Sequence, residues 1–292
     1  MQLSEGYQPK LSRTEKRMVK KQLDSVIILG YFLIIFTLIF IIYKNNLIWL
    51  WSKWMEETRY SHGPFIPLIS VYIAYQKKNL LKNITFTSAN WGILLLFLSG
   101  IIFIVALRAQ ISFIQTYSMI LFFLGIVWFI FGKNAIKHLW FPLLYLVFMV
   151  PFWAGGINRF SNFLKMVSSA LSAKFLLFLG FPIFRDGVTL HLSHNSLEVA
   201  DPCSGIQSLI SLAAMAVIIA YYSDGRILKR SLILFLVIPL VCIGNAARIL
   251  ILAFFLEATG SMVSDPMHTL IGMVIFVLTI SFLFGFNKWI NI

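Results

Sequence analysis

Cys203, Arg248 and His268 are the residues of this chain whose types and placement suit covalent chemistry. A thiolate attacks a carbonyl carbon, an imidazole takes the thiol proton and returns it to the leaving amine, and a guanidinium holds the developing oxyanion. Together they are the parts for nucleophilic acyl transfer through a thioacyl intermediate. Asp201-Pro202-Cys203 reads as a helix start, with Asp201 as N-cap, Pro202 at the first helical position and the thiol at the positive end of the dipole. Gln207 and Ser211 follow at i+4 and i+8 from Cys203, with Ser204 and Ser208 beside them, as a polar stripe on an apolar helix. Asn245 lies one helical turn before Arg248 and is placed to orient the guanidinium. His62, in Tyr60-Ser61-His62-Gly63-Pro64, falls on the same outer face of the membrane as Cys203 and is expected either to line the site or the substrate entrance or simply to cap the second span.

Each residue also has a plainer explanation. Small polar residues in membrane helices commonly hydrogen-bond between helices. An arginine near a helix end snorkels to the interface, and a histidine can simply end a loop. The coincidence of three such residues at one depth outweighs the separate explanations. Other chemistry is thinly represented. His191 and His194 have ligand-like spacing but share no face of a strand and lack a third ligand, so no metal and no cofactor is expected. The serine-hydrolase elbow, the zinc-protease His-Glu-x-x-His and the phosphate-binding glycine loop are all missing.

The elements that must position these residues are membrane helices. The chain has 292 residues, 59% of them hydrophobic, above the 45–50% usual for soluble domains. Apolar runs near the roughly 20 residues of a membrane span lie at about 25–44, 64–76, 91–107, 112–131, 139–153, 203–222, 231–257 and 268–287. The expected fold is an all-α polytopic membrane protein of about eight transmembrane helices. An amphipathic segment on the outer face (157–179) and a small β-hairpin within 184–199, turning at His194–Asn195, accompany them. No cleavage motif follows the first run, so it is expected to remain as a helix. A basic cytoplasmic tail (1–24) precedes a transmembrane domain (25–292).

Basic residues set the orientation. With the N-terminus inside, 15 of the 24 Lys and Arg fall on the inner side and 8 on the outer, with Arg248 inside a span. That puts both termini in the cytoplasm of a plasma-membrane protein. The net charge of +13 is thereby a membrane signature, and nucleic-acid binding is not expected. Arg248 falls 17 residues into a span that starts inside at Ser231, so at about 1.5 Å per residue it stands roughly 25 Å up. Cys203 and His268 begin spans from the outside. All three therefore meet at the outer boundary.

In order along the chain, Tyr60-Ser61-His62-Gly63, the helix Phe141 to Pro151, Glu198-Val199-Ala200-Asp201-Pro202-Cys203-Ser204-Gly205-Ile206-Gln207-Ser208-Leu209, Asn245-Ala246-Ala247-Arg248, and His268 with Gly272 resemble the blocks of the exosortase/archaeosortase family. These are membrane-embedded cysteine transpeptidases, and the resemblance covers about residues 50–285. It implies Cys203 as nucleophile with Arg248 and His268 as its partners. It also implies exported proteins bearing a C-terminal sorting signal (motif, transmembrane helix, basic cluster) as substrates, a lipid-like acceptor, and membrane lipids as surroundings. Pro202 before the cysteine and Thr269 after the histidine depart from the usual pattern. Two rival classes remain: a transporter or flippase, which would carry its charges at the midplane, and a lipid or glycan transferase in which Cys203 is not catalytic.

Overall fold

A computed structural model describes residues 13–82, 89–152, 154–193, 195–199, 205–224 and 227–290. The chain divides into two compact units, Met1–Trp49 and Leu50–Ile292. The described part of the first unit is helical and belongs to α1 (Arg13–Glu56). Residues 13–29 contain Lys, Arg, Glu, Gln, Met and Leu with no proline or glycine. That is a composition of strong helix formers, so helix already begins inside the segment read as a basic tail.

The second unit is mostly helical. Its helices are α2 (Phe65–Gln76), α3 (Lys78–Lys82), α4 (Asn90–Arg108), α5 (Ser112–Tyr145), α6 (Ala154–Phe178), α7 (Ile206–Tyr222), α8 (Ile227–Thr259) and α9 (Asp265–Ile290). Among the described residues, four helical stretches are long and apolar enough to cross a membrane: Asn90–Arg108, Ser112–Met149, Ile227–Thr259 and Asp265–Ile290. The count of eight spans is not borne out. The runs at 112–131 and 139–153 belong to two helical segments that meet at a kink at Gly132, whose φ of 75° and ψ of −172° are not helical. The run at 64–76 forms a helix of only 12 residues. That is about 18 Å of rise against a hydrocarbon core of about 30 Å. The Ser70 hydroxyl of α2 donates to the Pro142 carbonyl of α5 at 2.6 Å, so this short helix is tied to the bent one at a buried point.

α6 carries a stripe of small and apolar residues at helical spacing. Ile157, Ser161, Leu164, Ser168, Ser172 and Leu176 are all buried, while Arg159 and Lys174 are exposed. The stripe packs on α7 and α8, and Ser172 donates to the Ala246 carbonyl at 3.1 Å. The segment is thus an amphipathic helix seated on the bundle, and it is not among the four long apolar stretches.

After α6 the chain forms a three-stranded antiparallel meander, β1 (Phe184–Asp186), β2 (Thr189–His191) and β3 (Ser196–Glu198). Leu190 pairs with Arg185 on one side and Leu197 on the other. The expected hairpin is therefore a sheet with one strand more, because β1 is too short to show alternation. Leu190 and Leu197 turn inward on Leu176 of α6 and on Ile249, Leu252 and Leu256 of α8. That cluster braces the stretch of α8 that follows Arg248.

Candidate active site

α7, α8 and α9 bring the polar residues together. Their lower halves are held by an apolar cluster of Leu212, Ala216, Ile219, Ile233, Val237, Val241 and Leu283. Above it, Arg248 of α8 reaches across to α9. Its Nη2 donates to the His268 carbonyl at 3.1 Å and lies 3.1 Å from His268 Nδ1. A guanidinium has only donors. Nδ1 therefore accepts this contact, and the proton of the neutral imidazole sits on Nε2. His268 is held as one tautomer, with an N–H presented from the nitrogen that faces away from Arg248.

Gly272, one turn beyond His268, makes the crossing sterically feasible. A β-carbon there would stand 2.9 Å from Arg248 Cζ and 2.9 Å from Nη2. The obstructed atoms are the end of a flexible side chain, so alanine at this position is expected to displace the guanidinium rather than unfold the helix. Gly272→Ala should lower activity by about a hundredfold, the usual cost of a misplaced catalytic group. Its thermal midpoint in detergent should stay near wild type. A variant of full activity would show that the Arg248–His268 contact is not needed.

A cavity of about 370 Å³ opens onto the pair, lined by Gln207, Ser208 and Ser211 of α7, Arg248 of α8, and Asp265 and His268 of α9. A narrower recess behind it is lined by Ser208, Asn245, Arg248 and Gly272. Gln207 Nε2 donates to Ser61 Oγ at 3.4 Å, which links the cavity wall to the turn before α2.

α7 starts later than expected. Gly205 is its N-cap with φ of 74°, a left-handed conformation that an α-helix cannot contain. α7 itself runs from Ile206, and the expected helix start at Asp201-Pro202 with Cys203 in its first turn falls outside the described residues. Gln207 and Ser211 remain on one α7 face. Cys203 and Ser204 themselves lie outside the described residues, as do Asp201 and Pro202. Gly205 is buried, and a β-carbon on it would lie 3.3 Å from Asn245 Cγ and from Val241 Cγ1. The chain leaving the Cys203 block is therefore packed directly on the α8 turn that precedes Arg248.

His62 stands apart from the cavity lining. Its Nε2 donates to the Phe148 carbonyl at 3.3 Å, and its Nδ1 is buried with no hydrogen-bond partner among the described residues. Burial pulls its imidazole below the ordinary value, partly offset by the Phe148 carbonyl. Its ring anchors the turn before α2 to the Phe148 carbonyl, just beyond α5. Trp54 Nε1 makes a parallel bond to the Met149 carbonyl at 2.8 Å. His191 Nδ1 lies 2.8 Å from Ser196 Oγ, and the ring stacks on Phe184; His194 lies outside the described residues.

Asp265 and Thr58 were not singled out from the sequence, although both line the cavity. Asp265 had a usable signal, since it sits three residues before His268 on the same helical face. Thr58 had none, because it reaches the cavity only through the fold. A family model described as transmembrane exosortase matches residues 54–285. No curated protein and no solved structure matches the chain.

Proposed function

Because the chain belongs to the transmembrane exosortase family, we propose that it is a cysteine transpeptidase acting at the outer face of the plasma membrane. It cleaves C-terminal sorting signals of exported proteins and passes the new carboxyl end to an acceptor of lipid-like character. Cys203 is the nucleophile, Arg248 the oxyanion donor and His268 the proton carrier. The observation that carries this reading is the Arg248–His268 contact on the wall of a cavity whose other wall is α7. Covalent geometry adds support: Cys203 is two positions before Gly205, a reach of about 7 Å at most, and Gly205 packs on Asn245.

The resting contact sets the order of events. Nδ1 of His268 cannot take a proton while it accepts from Arg248. A scissile carbonyl entering the cavity offers Arg248 Nη2 a better acceptor, which frees Nδ1. The Cys203 proton then passes to Nδ1 as sulfur bonds to the carbonyl carbon, and the oxyanion forms against the guanidinium. Collapse breaks the C–N bond, the leaving amine takes the proton from His268, and a thioester remains on Cys203. An acceptor hydroxyl or amine then attacks the thioester, gives up its proton and restores the thiol. The helices Asn245 and Gly205 belong to hold the geometry, while Ser204, Gln207 and Ser208 offer hydrogen bonds to the substrate backbone.

Co-expression with a tagged exported protein that ends in a motif, an apolar helix and a basic cluster should yield a shorter product on a gel. The precursor should be taken from the same host and should share its tail with other exported proteins there. An unprocessed precursor across every tail type of the host would contradict the reading. In the same cells, an impermeant thiol reagent should label single cysteines placed at 259–267 but not at 223–230.

A further inference from the structure

The end of the bundle remote from the Arg248–His268 pair holds a second cavity, of about 560 Å³. It lies at the far end of α7, whose 17 residues rise about 25 Å. Lys77, just after α2, and Arg230, in the first turn of α8, line it with Trp140, Tyr221, Tyr222 and Asp224. We propose that this cavity is a binding site for the phosphate of an anionic lipid headgroup.

Charge supports this first. Two cations face a single carboxylate, and the ion pairs among the described residues are Lys53–Glu57 and Arg59–Glu57. Neither Lys77 nor Arg230 is neutralised by them. Both cations are nevertheless held in position. Lys77 Nζ stands 5.3 Å from the Tyr221 ring centroid, and Arg230 Nη2 donates to the Ser223 carbonyl at 2.9 Å. The neighbouring Lys229 turns away, to the Ile290 carbonyl. Arg230 keeps further donors on its planar fork, the geometry that suits phosphate oxygens.

The surroundings are those of a membrane interface. Tyr221 stacks on Phe141 at 3.6 Å, and the Tyr222 hydroxyl donates to Gln76 Oε1 at 2.6 Å, so the aromatic wall is rigid. Trp140 is 47% exposed and Phe235, next to the cavity-lining Leu234, is 76% exposed. A phosphate between Lys77 and Arg230 would leave acyl chains against that apolar exterior. Basic pockets between membrane helices hold anionic headgroups in this manner. The positive lining also has the wrong sign for the basic cluster of a sorting signal, so this is not a second seat for the substrate.

The test uses the full chain in nanodiscs of phosphatidylcholine with increasing phosphatidylglycerol, reading retained lipid by native mass spectrometry and the unfolding midpoint by heating. Lys77→Gln with Arg230→Gln should weaken phosphatidylglycerol retention by about tenfold or more, at roughly 1 kcal/mol for each cation. Lys133→Gln with Lys137→Gln removes the same charge from exposed sites outside the cavity and should leave retention unchanged. Lys77→Arg with Arg230→Lys should retain the lipid and show that the fold tolerates substitution there. Equal loss in the two glutamine pairs, or equal retention of phosphatidylcholine, would overturn the site. Inorganic phosphate that protects as well as phosphatidylglycerol does, in pure phosphatidylcholine discs, would overturn the lipid as its source.

Discussion

Replacing Cys203 with alanine is expected to abolish processing of a co-expressed tail-anchored substrate, lowering the rate by at least about a thousandfold, since the covalent route is lost with the thiol. The protein should still insert and accumulate. A single sulfur removed leaves no large cavity, and the helices of the site are held by contacts that do not involve residue 203: the α7–α8–α9 apolar cluster and the packing of Gly205 on Asn245. Cys203→Ser should be nearly as inactive, because near neutral pH a hydroxyl is a far poorer nucleophile than a thiol. Cys242 provides the control. It is buried in the apolar cluster with Tyr60, Leu164 and Ile210, so Cys242→Ala should process substrate near the wild-type rate. Undiminished processing by Cys203→Ala would return the chain to the transferase reading, in which the thiol is a bystander.

Arg248→Lys is expected to lose about a hundredfold to a thousandfold in rate, the range for removal of one oxyanion donor. Positive charge is retained, so long-range electrostatics do not account for the loss. The difference is geometric. At rest Arg248 Nη2 stands 3.1 Å from both the His268 carbonyl and Nδ1, and once it passes to the substrate its planar fork holds the donors aimed at the oxyanion in one fixed plane. A lysine ends in a single nitrogen on a more mobile stem. It offers the oxyanion no such fixed plane of donors. Thermal stability should change little, which separates this outcome from collapse of the bundle. Near-normal processing by the lysine variant would mean that Arg248 only satisfies the helix end.

The meeting of Arg248 and His268 was legible in the sequence for a physical reason. Helical rise is constant, so counting residues from a basic loop put Arg248 at the level of the α9 start, and Arg248 contacts His268 directly. The apolar runs likewise marked most of the helices. Three features were hidden. The sharpness of the kink at Gly132 was not visible: Gly132-Lys133-Asn134 reads as a loop between two spans, and the backbone has a single non-helical residue, Gly132, between the two helical segments. The buried face of α6 is built largely from serines, which hydropathy counts as polar although they pack closely and bond to backbone carbonyls. The start of α7 at Ile206 was not visible because Asp201-Pro202 is a strong helix-start signal, and only the backbone shows Gly205 in a left-handed conformation that excludes helix through it. The role of Gly272 and the tautomer of His268 follow only from knowing which atoms meet.

The central claim is a thioester on Cys203. Purified protein mixed with a substrate tail and no added acceptor, quenched in acid and resolved by mass, should carry an adduct equal to the processed substrate. The adduct should map to the peptide containing Cys203 and be released by hydroxylamine. It should persist in Cys242→Ala and vanish in Cys203→Ala. A hydroxylamine-labile adduct of equal yield in Cys203→Ala, or processing by the wild type with the adduct on any other residue, would contradict the account.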